Sequence, residues 1–126
     1  MGLYWRLKDN PKVTIEDNEF YEFIYLDVQG HGIVGTHGDL ESFRKLGIDM
    51  HTLFSKQYGF DIEYVFSGDK HHLESNDSYG IENVLVSSLC GTDNYANNKR
   101  LYSKAGQTLY IFNKEDGKVC TYNITF

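Results

Sequence analysis

The chain has 126 residues, 40% of them apolar and 24% charged, with a single proline. That is enough for one domain with a real core but not for two, and it excludes an intrinsically disordered chain. Eighteen acidic against twelve basic residues leave a net charge of −6, which excludes a general nucleic-acid coat but leaves a metal site open, since cations favour carboxylates.

Cys90 and Cys120 give neither a disulfide framework nor a zinc pattern and read as reduced thiols in or beside strands. No apolar run reaches spanning length, and the N-terminus lacks a signal-peptide core. A cytoplasmic chain with no membrane partner is expected.

Met1–Lys8 is apolar almost from its first residue, with no capping residue ahead, and Asp9-Asn10-Pro11 breaks it. It reads either as the end of an element begun elsewhere or as a terminal helix docking by Trp5. Val13–Ile15 is a short strand candidate, followed by a polar turn. Phe20–Val28 is a stronger one, with Ile24, Leu26 and Val28 on one face and Phe23 and Tyr25 on the other. Apolar residues on both faces predict burial on both sides. Gln29–Gly32 reads as a turn, and Ile33–Thr36 as the returning arm of a hairpin.

Asp39 is placed as a helix N-cap, with Leu40, Phe43 and Leu46 on one face and Gly47 as the stop. A second short helix is expected after Asp49, burying Met50, Leu53 and Phe54 and closing at Gly59. Ile62–Ser67 is the next strand, Leu73–Tyr79 a polar loop, and Gly80–Leu89 another strand. Gly91–Gln107 is a long polar segment without a clear period, read as a connection or contact loop. Thr108–Asn113, the Lys114–Gly117 turn and Lys118–Phe126 form a final hairpin. About seven strands with two short helices between them predict a mixed α/β layer structure and not an all-β barrel.

Two bursts of ligand-type residues stand at strand ends. Ile33–Thr36 runs into His37-Gly38-Asp39, and Tyr64-Val65-Phe66 runs through Ser67-Gly68 into Asp69-Lys70-His71-His72. A dinuclear metal site needs imidazoles and carboxylates converging from several strand ends, and two cations ~3.5–4 Å apart can clamp a phosphate and activate a water. The two bursts are therefore expected to share one rim. His71 and His72 point opposite ways on an extended segment, so one of them faces the site. His31 and His51 read as surface histidines.

These bursts resemble the last two motifs of the calcineurin-like metallophosphoesterases. Thr36-His37-Gly38-Asp39 is similar to the family's lone-His motif, and Gly68-Asp69-Lys70-His71 to its final Gly-His-x-His motif. The tail from Ser87 to Ile124 is similar to the region after that motif in phage and bacterial members. The resemblance implies the C-terminal half of a four-layer αββα sandwich, with 1–126 a single, partial domain. It implies His37, Asp69 and His71 as metal ligands, with Asp69 standing where the family has a histidine. Manganese is the cofactor implied first, with iron, zinc or nickel as alternatives.

Nothing matches the family's Asp-x-His, Gly-Asp and Gly-Asn-His motifs. The first expectation is thus an incomplete phosphoesterase, acting on phosphate esters only with a complementing N-terminal half. The second is a non-catalytic binding or regulatory module derived from that fold and encoded by a phage. The third is a small α/β domain with surface histidines and no metal. An uncovered sheet predicts self-association of the isolated chain.

Overall fold

Two-residue turns with positive φ twist in the sense that antiparallel strands need. Gln29 and Gly30 supply one, at φ 59° and 90°, and join β1 (Phe23–Val28) to β2 (His31–Thr36). The Gly30 N–H donates to Asp27 Oδ1 at 2.9 Å and pins the turn. The computed structural model describes residues 2–14, 22–38, 42–59, 61–68, 74–89 and 104–126.

From β2 the chain crosses through a helix, α2 (Phe43–Tyr58), to β3 (Tyr64–Ser67), which lies parallel to β2. Strands β4 (Glu74–Ser78) and β5 (Ile81–Leu85) form a second hairpin, and β5 runs parallel to β3. The sheet order is β1-β2-β3-β5-β4, mixed and five-stranded. Strands β6 (Gly106–Asn113) and β7 (Gly117–Thr125) form a separate two-stranded ribbon, bulged between Ile111 and Phe112.

The alternation of β2, β3 and β5 sorts side chains to two faces. Val34, Val65 and Ile81 meet Leu46, Met50 and Phe54 of α2, with Ile62, and all are buried. Each such side chain stabilises the fold by about 1.5–3 kcal/mol. On the other face, Tyr64 meets Phe112 edge-on at 5.1 Å between ring centroids and Phe66 meets Tyr110 at 4.8 Å, so the ribbon packs there. Lys118 fastens it further, with its N–H donating to Tyr64 Oη at 3.0 Å and its ammonium paired with Glu82. The layers are helix, sheet, ribbon, and the expected mixed α/β class holds.

Several expected elements differ. The two short helices are one, because Gly47 does not stop α2. It lies buried inside it, and a methyl group there would stand 2.6 Å from Asn83 Oδ1. Its bare backbone lets the helix approach β5 closely. The N-cap is Ser42, and Gly59 closes the helix in the left-handed region at φ 71°, its N–H donating to the Phe54 carbonyl. The expected Asp39 cap lies outside the described residues.

Val13 and Thr14 form no strand, and Ile15 lies outside the described residues. The polar stretch taken as a loop is instead strand β4, at the sheet's edge, where a water-facing strand needs few apolar residues. β1 is the other edge. It is buried on one face only: Phe23 and Tyr25 pack on Phe54, while Ile24 and Leu26 remain 45% and 42% exposed. The ribbon's ring contacts are with β3, two strands away, which leaves that face of β1 bare.

The first segment is a helix, α1 (Gly2–Leu7), ended by an Asn10 N–H bond to the Leu7 carbonyl at 2.9 Å. Trp5 is 64% exposed, with the Lys8 ammonium over its ring. Of the long polar segment Gly91–Gln107, residues 91–103 lie outside the described residues, and Gly106 and Gln107 open β6 instead of belonging to a connection. Among those described, no helix is long and apolar enough to cross a membrane.

Candidate functional site

Parallel strands carry their carboxyl ends to one rim of a sheet, and open α/β sheets bind ligands there. β2 and β3 are parallel neighbours with Thr36 opposite Ser67, so both ligand-rich bursts leave from adjacent strand ends. The backbones stay joined one residue further, where the Gly68 N–H donates to the His37 carbonyl at 3.1 Å. Gly38 then turns away at φ 85°, so close to β3 that a methyl group on it would sit 2.9 Å from Ser67 Cβ. A side chain at position 38 would push the two ends apart.

His37 is exposed at this rim, not packed among apolar residues. Asp69 and His71, the other two residues read as metal ligands, lie outside the described residues, in a segment that leaves directly from Gly68. Among the described residues, no group of three or more His, Cys, Asp or Glu could hold a metal ion.

A cavity of about 560 Å³ lies at the opposite end of the parallel strands, lined by Ile48, His51, Asp61, Glu63, Tyr79 and Ile81 among others. Its size suits a small ligand, but it opens at the amino ends of β3 and β5, away from the ligand-rich rim. His51 is half-buried in its wall and within 3.2 Å of Ser55 Oγ, a correction to its reading as a surface residue.

His31 needs a larger correction. It opens β2, its side chain is 13% exposed, and its Nδ1 lies 2.8 Å from Glu63 Oε2. Pairing with the Glu63 carboxylate holds its pKa above the ordinary histidine value, against the opposing effect of desolvation. Its place between Gly30 and Gly32 hid this role, because Glu63 is 32 positions away in the chain.

Comparison with known proteins brings in the fold by name. Zinc-bound Vps29 from Entamoeba histolytica superposes with a TM-score of 0.57 at 17% identity, over 87% of this chain and 63% of that one. Protein TM1076 from Thermotoga maritima superposes with a TM-score of 0.52 at 16% identity, over 89% of this chain and 64% of its own. The shared fold is that of the calcineurin-like metallophosphoesterases. The chain thus spans less than two thirds of the length of these metallophosphoesterase-fold structures. No family model matches the sequence, and no curated protein matches it.

Proposed function

We propose that this chain carries part of a metal-dependent phosphoesterase site, with His37, Asp69 and His71 as ligands to a divalent cation. In this reading it hydrolyses phosphate esters only when a complementing N-terminal polypeptide supplies the remaining ligands. One observation carries it: the bond from the Gly68 N–H to the His37 carbonyl, which holds the two ligand-bearing strand ends side by side. The donor set suits the group chemically. Two imidazoles and a carboxylate are ligands for manganese, iron, zinc or nickel, and the similar Vps29 structure is of a zinc complex. A divalent ion bound there would polarise a phosphoryl oxygen and make a bound water more acidic. Three donors fall short of two complete coordination shells, so hydrolysis by the chain alone should be negligible.

The test is manganese titration of the full chain by calorimetry, with hydrolysis of p-nitrophenyl phosphate measured in parallel. Uptake that His37→Ala and His71→Ala each weaken by tenfold or more supports the reading. No uptake at millimolar manganese, or uptake indifferent to both substitutions, refutes it.

A second reading, a non-catalytic binding module, is favoured by the ribbon. Its outer face carries Leu109 (53% exposed), Ile111 (42%), Tyr122 (53%) and Ile124 (47%), an apolar stripe without a covering layer among the described residues. Association through that face without metal uptake would select this reading over the first.

A further inference from the structure

His31 joins three segments that are far apart in the chain. Its Nδ1 faces Glu63 Oε2 at 2.8 Å, in the stretch leading into β3. Its Nε2 faces the Lys114 carbonyl oxygen at 3.2 Å, in the turn of the β6–β7 ribbon, 83 positions away. Both oxygens are acceptors, and neither can donate. A neutral imidazole has one N–H and can satisfy one of them, whereas imidazolium has two and satisfies both. The contacts therefore select the doubly protonated ring.

The surroundings are defined. Tyr64 of β3 stands edge-on to the ring at 6.4 Å between centroids. Its hydroxyl accepts from the Lys118 N–H of β7, and the Lys118 ammonium is paired with Glu82 of β5. The turn that supplies the Lys114 carbonyl also carries Glu115 and Asp116, and Asp116 is bonded to Asn113. The ring's own ion pair, among the described residues, is with Glu63.

We propose that His31 is a proton-operated latch, which in its doubly protonated form fastens the turn of the ribbon to the sheet and releases it on giving up a proton. The Glu63 carboxylate is the stronger acceptor, so the remaining proton stays on Nδ1. The bare Nε2 lone pair then faces the Lys114 oxygen, and that contact turns repulsive. The turn of the ribbon loosens while the Glu63 pair persists. The pairing with Glu63 raises the folded-state pKa, and the contact with the Lys114 carbonyl raises it further; the second part is the one tied to the ribbon and sets the direction in pH. The latch contributes in full below the unfolded histidine value of about 6.5 and is lost as pH rises through the higher folded value.

The test uses the intact chain. Long-range proton–nitrogen NMR of the imidazoles reports the state of His31 directly, assigned by its loss in His31→Gln. Amide hydrogen exchange of the ribbon, corrected for intrinsic rates, reports its seating across the same pH range. The expectation is a His31 midpoint above 6.5 with both nitrogens protonated below it. Ribbon protection should fall through that midpoint by about tenfold for each unit by which the pKa with the ribbon seated exceeds that with the ribbon open and the Glu63 pair kept. In His31→Gln the pH dependence should vanish, and in Glu63→Gln the midpoint should move down. A wild-type midpoint at or below 6.5, or ribbon protection that stays flat across it, overturns the proposal even if neither variant folds. The same pH dependence persisting in His31→Gln overturns it too.

Discussion

Replacing Gly47 with alanine sets two known effects against each other. In an exposed helix interior the change is stabilising by about 0.8–1.0 kcal/mol, because glycine is the more costly residue to order. At this position the new methyl would stand 2.6 Å from Asn83 Oδ1, 3.0 Å from Ile81 Cγ2 and 3.1 Å from Asn83 Nδ2. Asn83 cannot easily yield, since it is fully buried and its Nδ2 donates to Asn76 Oδ1 at 2.8 Å. The helix cannot retreat without opening a gap above Ile81. An extra methyl in a packed core costs about 1–3 kcal/mol, so after the propensity gain Gly47→Ala should lose up to about 2 kcal/mol. Urea unfolding reads this as a lower midpoint at constant slope. Asn83→Ala removes both amide contacts and leaves Ile81 Cγ2 at 3.0 Å, so in that background the loss from Gly47→Ala should shrink to about 1 kcal/mol or less. If Gly47→Ala stabilises the wild-type chain by the free-helix amount, the close approach of α2 to β5 does not explain the glycine.

Tyr79 holds φ 59° in the β4–β5 turn with its ring 90% exposed, so it bears left-handed strain without packing in return. Tyr79→Asn should raise stability by about 0.5–1 kcal/mol, seen as a higher urea midpoint; a loss would mean that the ring makes an interaction worth more than the strain. Leu109 and Tyr122 lie opposite each other on the outer face of the ribbon. If that face self-associates in the absence of a partner, Leu109→Ser with Tyr122→Thr should shift sedimentation equilibrium towards monomer with unchanged circular dichroism. An unaltered distribution would remove the ribbon as the interface.

The two strand ends were legible because their signal is local. A β-branched or aromatic run, a glycine and a ligand-rich burst occur twice, and parallel pairing sets Thr36 beside Ser67, where the two runs end. The terminal hairpin was legible for the same reason, its Asp-Gly turn lying between alternating runs. Gly47 was misread because a glycine reads the same whether it ends a helix or lets one approach a strand. Strand β4 was missed because Glu74–Ser78 is polar throughout, and its strand character comes from pairing with β5 and from a bond between Asn76 and Asn83. The contacts of His31 were illegible because both partners are distant in the chain and one is a backbone carbonyl, which no residue type announces.

The ribbon's position after the sheet in chain order bears on how the molecule is made. Pairing β2 with β3 joins Ile33 to Tyr64 across a crossover, a loop closure that is slow compared with zipping a hairpin. During synthesis the sheet precursor emerges first, with Tyr64 and Phe66 bare to water, and the ribbon that will cover them follows it. Until then those aromatic rings are open to any other nascent chain nearby, so the yield of soluble protein should depend on how quickly residues 106–125 are delivered.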